Sequence, residues 1–98
     1  MSQPVTVIAR MQAKPDRVDE LRAALDVMIA ATRQEAGCTV YDLHVGADDP
    51  TLFMFHEIWE TREHHQVHAQ TDHVNAFRER ASTLLDGTIQ VDVVHKVE

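Results

Sequence analysis

The sequence TLFMFHEIWE at residues 51–60 decides the fold of this 98-residue chain. Successive side chains of a strand point to opposite faces of its sheet, and here large apolar side chains fall on both faces. The two sets are Leu52, Met54 and Ile58 on one face, and Phe53, Phe55 and Trp59 on the other. Residues 51–60 are therefore predicted to lie in a sheet that is covered on both sides.

Three further segments have the two-residue apolar period of a strand. They lie at residues 5–12, 38–45 and 88–97. The turn-forming residues at 46–50 join the second of these segments to residues 51–60, which predicts a hairpin of antiparallel neighbours.

Two regions have the three- and four-residue apolar spacing of a helix. The first is predicted over residues 15–36, because proline suits a first turn and Gly37 supplies a stop. The second region begins after Thr61, a capping residue, and ends at Gly87. A break in this second region is expected near residues 71–72.

The order β-α-β-β-α-β predicts an α+β protein with a ferredoxin-like fold. In that arrangement both helical regions pack on one face of a four-stranded antiparallel sheet. A chain of 98 residues has too little material for a second hydrophobic core. Residues 1–98 are therefore expected to form a single domain.

Helices on one face leave the other face of the sheet without a cover. Each large apolar side chain left in water would forgo roughly 1.5–3 kcal/mol of burial. In a chain this short the expected cover is the same face of a second copy, which would give a two-fold homodimer. A monomer with a poorly protected sheet is the alternative.

Composition limits the partners that this chain is expected to have. The formal net charge of −7 comes from 16 acidic and 9 basic residues, and the basic residues are scattered, so no nucleic acid partner is expected. No apolar run approaches the roughly 20 residues that cross a bilayer, so no membrane association is expected. The protein is expected to be soluble and cytoplasmic. Cys38 is the only cysteine and is interpreted as a small buried apolar residue.

Histidines are concentrated in the second helical region, which contains His64, His65, His68 and His73. Imidazole exchanges protons near neutral pH, so several histidines in a pocket could polarise or deprotonate a substrate hydroxyl. His64 and His65 point about 100° apart on a helix and cannot face the same way. His68 is the preferred pocket residue, whereas His73 suits a functional role and a capping or packing role equally well.

The helical spacing also allows a metal site. His64, His68 and Asp72 recur every four residues and would share one face of a continuous helix. The chain has neither an HExxH motif nor paired cysteines, so hydrogen-bonded pocket residues are the preferred interpretation and no metal is expected.

Three further side chains are candidates for binding a substrate. Glu57 stands between Phe55 and Trp59 on a mostly apolar face, which indicates a paired or functional carboxylate. An ion pair at the edge of the dimer suits Glu57 equally well, and Arg10 is a candidate for its partner. Tyr41 could orient a ligand through its phenol or could pack with its hydroxyl at the rim.

Three pieces of sequence occur in a fixed order along the chain. They are EAGCTVY at 35–41, FHEIW at 55–59, and His68 followed by His73 and Phe77. Together they resemble the antibiotic biosynthesis monooxygenase (ABM) domain family, in which an E-x-G-C-x-x-Y turn precedes an E-x-W strand and an H-x-x-x-x-H-x-x-x-F helix. The resemblance covers almost the whole chain.

The resemblance implies a dimeric α+β barrel with a pocket between the sheet and the helices of each subunit. The family includes quinol monooxygenases that use O₂ without metal or flavin, haem-degrading enzymes, and isomerases or degraders of small signalling molecules. The haem-degrading branch has an Asn near Ala9, a Trp near His68 and a haem-ligating His near Arg78. None of the three matches this chain, so haem is not expected.

The expected function is a cofactor-independent monooxygenase that oxidises a small aromatic phenol or quinol with O₂. The catalytic candidates are His68, His64 and His73, with His68 as the base or hydrogen-bond partner of the substrate hydroxyl. The substrate-binding candidates are Tyr41, Trp59 and Phe77 as an aromatic slot, with Glu57 or Arg10 at its polar edge. An isomerase or degrader of a small carbonyl metabolite and a non-catalytic binding protein are the alternatives.

Overall fold

The computed structural model describes residues 3–98 and contains one four-stranded antiparallel sheet within that range. The strands are β1 (Val5–Gln12), β2 (Cys38–Val45), β3 (Leu52–Trp59) and β4 (Gln90–Val94), and the helices are α1 (Val18–Thr32), α2 (Arg62–His68) and α3 (Asp72–Leu84). The strand order across the sheet is β2-β3-β1-β4. This arrangement confirms the predicted ferredoxin-like α+β fold, with the second helical region divided in two.

Helix α1 and strand β4 are shorter than predicted. Helix α1 ends at Thr32 because the chain then tightens into turns, in which the N–H of Glu35 bonds to the carbonyl of Thr32. Strand β4 ends at Val94, which pairs with Thr6 near the start of β1, so little of β1 remains for later residues to pair with. Both predictions extended an apolar pattern beyond the point where backbone partners exist.

The predicted break in the second helical region is confirmed, and two threonines start the helices on either side of it. The hydroxyl of Thr61 accepts the backbone N–H of His64 at 3.1 Å, and the hydroxyl of Thr71 accepts that of Val74 at 3.4 Å. These are N-cap interactions, which satisfy backbone donors that a helix start leaves free. The break turns the chain, so that α2 and α3 present different side chains to the sheet.

The hydrophobic core lies between the helices and one face of the sheet. On β3 the side chains of Phe53, Phe55, Glu57 and Trp59 belong to this covered face, and each is at most 4% exposed. The opposite face of β3 consists of Leu52, Met54, His56 and Ile58, which are only half-buried within one chain. We call the latter the open face of the sheet, and its apolar character agrees with the pattern from which a second cover was predicted.

Gly37 brings the start of α2 against the segment that precedes β2. Its φ of +81° lies in the left-handed region, and a Cβ at this position would meet Cγ of His64 at 2.3 Å. Glycine is therefore required both by the backbone conformation and by the close approach of the ring. This contact holds Glu35, two residues earlier, beside α2 and α3.

None of the helices in residues 3–98 has the length and apolar content that would let it cross a membrane.

Candidate functional site

A cavity of about 370 Å³ lies between the covered face of the sheet and the helices. Its wall is mainly apolar and includes Phe55, Phe77 and side chains of β1 and β4. Besides the phenol of Tyr41, the wall contains four side chains with ionisable groups, which are Glu57, His65, His68 and Arg78. A largely apolar cavity of this size with a few convergent polar groups is typical of small-molecule sites.

His68 is held in this cavity by a carboxylate. Its Nδ1 lies 2.7 Å from Oε2 of Glu35, and the two side chains are 8% and 13% exposed. Because a carboxylate accepts hydrogen bonds, Nδ1 carries the proton and Nε2 keeps its lone pair. Burial is the main cause that lowers the pKa of His68, with Glu35 acting in the opposite direction. The ring therefore favours the neutral form, which can accept a proton.

Aromatic rings fix the plane of the His68 imidazole. Its centroid lies 4.7 Å from the Trp59 ring and 5.6 Å from the Tyr41 ring, and Tyr41 in turn stacks on Phe55 at 4.5 Å. Tyr41 and Phe55 line the cavity, whereas Trp59 is fully buried and supports His68 from behind. Burial also raises the pKa of the Tyr41 phenol, so this group remains a neutral hydroxyl.

Glu57 is the most buried carboxylate of the cavity, at 3% exposed. Its Oε1 accepts the indole N–H of Trp59 at 2.9 Å. Burial raises the pKa of Glu57 from 4.5 to about 7, with repulsion from Glu35 acting in the same direction. Glu57 can therefore exist as a neutral acid near neutral pH and donate a proton or a hydrogen bond into the cavity.

The contribution of Glu57 to the stability of the protein should fall between pH 5 and pH 8. Its folded-state pKa of about 7 lies above the unfolded value of 4.5, so the folded protein binds this proton more tightly and loses the advantage as pH rises. The full effect amounts to about 3 kcal/mol. Glu57→Gln keeps an acceptor for Trp59 and should remove that loss. Urea unfolding followed by Trp59 fluorescence at both pH values would measure it, and the same pH dependence in both proteins would contradict this assignment.

The structure brings five of the predicted residues together at the cavity. Tyr41, Glu57, His68 and Phe77 line it, and Trp59 lies directly behind His68.

Two predicted catalytic histidines do not line the cavity. His64 lies outside it, where Nδ1 is 2.7 Å from the hydroxyl of Thr61. His73 lies behind His68, with Nε2 placed 2.9 Å from the same Glu35 oxygen that His68 contacts. His65, the neighbour of His64, is the one that faces the cavity.

The interpretation of Arg10 as the partner of Glu57 is wrong. Arg10 pairs with Met54 across the β1–β3 ladder, whereas Glu57 pairs with Val7, so the two side chains lie on opposite faces of the sheet. Arg10 is exposed on the open face and does not line the cavity.

Three residues of the site were missed as candidates, namely Glu35, His65 and Arg78. Glu35 begins the EAGCTVY motif, so the motif marked it without indicating a role. His65 was set aside in favour of its neighbour, because periodicity does not determine how α2 is rotated about its axis. Arg78 lies at the cavity wall with its guanidinium bound to the carbonyl of Ala69 at 2.6 Å, and no pattern in the sequence indicated this.

Comparison with known proteins agrees with this architecture. The sequence model of the family described as antibiotic biosynthesis monooxygenase matches residues 4–80. The chain belongs to this family. It is 39% identical over 94 residues to a protein of Mycobacterium tuberculosis named "Putative monooxygenase Rv0793", and the match covers 96% of this chain and 92% of that protein.

Solved structures of similar sequence have the same fold as this ABM protein. The crystal structure of PA3566 from Pseudomonas aeruginosa is 33% identical with a TM-score of 0.91, and the match covers 100% of this chain and 98% of that chain. The structure of Rv0793 is 35% identical with a TM-score of 0.91 over 98% of this chain and 97% of that chain. The family match and the relative named as a putative monooxygenase together support the assignment of this chain to the monooxygenase class of oxidoreductases.

Proposed function

We propose that this ABM protein oxidises a small phenol or hydroquinone with O₂ in the cavity next to His68, without a metal or flavin. The single observation that carries the proposal is the 2.7 Å contact between Nδ1 of His68 and Oε2 of Glu35, because the ring of His68 also lines the cavity. This contact leaves Nε2 as the acceptor. Independence from cofactors rests on the family resemblance.

The pair of Glu35 and His68 suits the removal of a hydroxyl proton. A carboxylate that accepts the proton of one imidazole nitrogen orients the ring and stabilises the imidazolium that forms when the other nitrogen is protonated. No hydrogen bond to His68 Nε2 is formed by any residue in the range 3–98, so this atom is available to a ligand. A phenol placed against it would be converted to the phenolate.

The phenolate is electron-rich enough to reduce O₂ itself. Overall, a phenol and O₂ give a quinone and water, and a hydroquinone and O₂ give a hydroxyquinone and water. One oxygen atom forms a C–O bond at a ring carbon that carries hydrogen, para to the hydroxyl of a phenol or ortho to a hydroxyl of a hydroquinone. The other oxygen atom leaves as water after the O–O bond breaks. The protons of that water come from the phenol hydroxyl and from the ring C–H. His68 would hold the hydroxyl proton between its removal and the release of water.

The other groups of the cavity support binding and proton delivery. Tyr41, Phe55 and Phe77 offer apolar ring surfaces for an aromatic substrate. Glu57, with a pKa of about 7, can donate a hydrogen bond to a second oxygen of the substrate. The mainly apolar wall limits access of water to the phenolate.

The working form is proposed to be a homodimer in the cytoplasm. The half-buried apolar side chains of the open face support the dimer, since a second copy would bury them by two-fold symmetry. The dimer would complete the dimeric α+β barrel that the resemblance implies.

The purified protein should consume O₂ when supplied with members of a hydroquinone and polycyclic phenol panel. Mass spectrometry with ¹⁸O₂ should find one labelled oxygen in the quinone product. Turnover that persists without O₂ would instead favour an isomerase or degrader of a carbonyl metabolite. Stoichiometric binding with no product would favour a binding protein, and either result would overturn the proposal.

A further inference from the structure

Three side chains with metal-ligating atoms meet behind the cavity. They are Glu35 from the segment after α1, His68 at the end of α2 and His73 at the start of α3. Their ligand atoms all lie within 4.8 Å of one another. Within residues 3–98 this is the only group of three or more histidine, cysteine or acidic residues that meets this criterion.

The break between α2 and α3 creates this group. On a continuous helix His64, His68 and Asp72 would have shared a face, but the helix is interrupted at 69–71 and His73 lies beside Glu35 instead. The structure thus replaces the three residues that helical spacing had indicated with a different set. A set of two imidazoles and one carboxylate binds transition-metal ions in preference to Mg²⁺ and Ca²⁺.

The distances are close to those of a coordination site. Oε2 of Glu35 lies 2.7 Å from Nδ1 of His68 and 2.9 Å from Nε2 of His73. A tetrahedral ion with bonds of about 2.0–2.2 Å holds neighbouring ligand atoms about 3.3–3.6 Å apart. Small rotations of the three side chains would open that space, and three protein ligands leave a fourth position for water.

The group can be reached without passing through the substrate cavity. Glu35 lines a surface groove together with Thr71 and His64, and His73 lines another between α1 and α3, while only His68 of the three faces the substrate cavity. The side chain of His73 is 22% exposed. An ion could therefore enter from outside while a substrate occupies the cavity.

We propose that Glu35, His68 and His73 bind one divalent transition-metal ion, with Zn²⁺ as the fitting ion, and that the bound ion inhibits the enzyme. Binding through Nδ1 moves the remaining proton of His68 to Nε2, so this nitrogen no longer accepts a proton from the substrate. The inhibitory consequence rests on the proposed function, whereas the site itself does not. Because the ion and the substrate use different entrances, inhibition should be non-competitive with the phenol.

Cobalt tests the site directly, because Co²⁺ accepts the same ligands as Zn²⁺ and gives visible d–d absorption. The EDTA-treated full chain is expected to bind one Co²⁺ per chain, and Zn²⁺ should displace it. His73→Gln keeps an amide donor for Glu35 but removes the imidazole ligand, and it should weaken Co²⁺ binding at least about tenfold. His64→Gln removes a histidine of the same region that is outside the group and should bind as the wild type does.

The outcomes separate the site from the activity. Absence of saturable Co²⁺ binding would overturn the proposed site, and so would equal Co²⁺ affinity in the wild type and His73→Gln. If circular dichroism shows that His73→Gln does not fold, Glu35→Gln replaces it. Zn²⁺ should inhibit O₂ uptake by the wild type and have little effect on His73→Gln. Binding without inhibition would overturn the inhibitory role alone. Co²⁺ binding by a protein with no O₂ uptake would support the site and overturn the proposed function.

Discussion

Replacement of His68 by alanine should lower the rate of O₂-dependent phenol oxidation by about 10²–10⁴-fold, the usual contribution of a positioned base. Among residues 3–98, His68 is the only histidine whose imidazole both faces the cavity and contacts Glu35, and the variant loses it. The loss should appear in kcat, because the aromatic lining from Tyr41 and Phe77 remains. Oxygen uptake with the best substrate of the hydroquinone panel measures the effect.

His64→Ala is the matched control for this experiment. It removes an imidazole from the same helix, but His64 bonds to Thr61 outside the cavity, so activity should stay near that of the wild type. Circular dichroism and thermal unfolding would show whether His68→Ala, which truncates a buried side chain, retains the fold. A folded His68→Ala protein with unchanged turnover would remove His68 from the mechanism.

Ile58→Glu should convert the protein from a dimer to a monomer. Ile58 is half-buried on the open face, between Thr6 and Val40 in the sheet. Two-fold symmetry would place two unpaired carboxylates in the interface, each of which costs several kcal/mol, so the dissociation constant should rise at least about a thousandfold. Sedimentation velocity at micromolar concentration should find twice the chain mass of 11.1 kDa for the wild type and one chain mass for the variant.

Val27→Glu is the corresponding control. Val27 lies on α1 with 71% of its surface exposed, away from the open face, so the same chemical change should leave the dimer intact. A wild-type protein that sediments as a single chain would contradict the proposed homodimer. An unchanged dimer in Ile58→Glu would move the interface to another surface.

Local patterns were sufficient for the order of the elements and for most of their bounds. The two-residue period predicted strand 5–12 correctly because residues of a strand contact the core alternately whatever else packs there. Capping by Thr61 was also local, since the hydroxyl and the N–H that it accepts are three residues apart. The same logic overestimated α1 and β4, whose ends depend on distant backbone partners.

The faces of the sheet could not be assigned from sequence. Strand β3 is apolar on both sides, so its pattern does not say which side the helices cover. Burial shows that the helices cover the face of Phe55 and Glu57. The register pairs Val7 with Glu57 and Arg10 with Met54, and it therefore separates Arg10 from the cavity. Register depends on contacts between segments that are far apart in the chain, which no local period records.

By itself the sequence determined that a two-sided strand lies within a β-α-β-β-α-β chain and that histidines follow it, because periodicity and turn chemistry act over a few residues. Only the tertiary structure decided that Glu35 joins His68 and His73, which are 33 and 38 residues away along the chain. Such a contact depends on how the break after α2 directs α3 back toward the end of α1. The three-dimensional path of the chain, and not the spacing of its residues, therefore determines which histidine can act as a base.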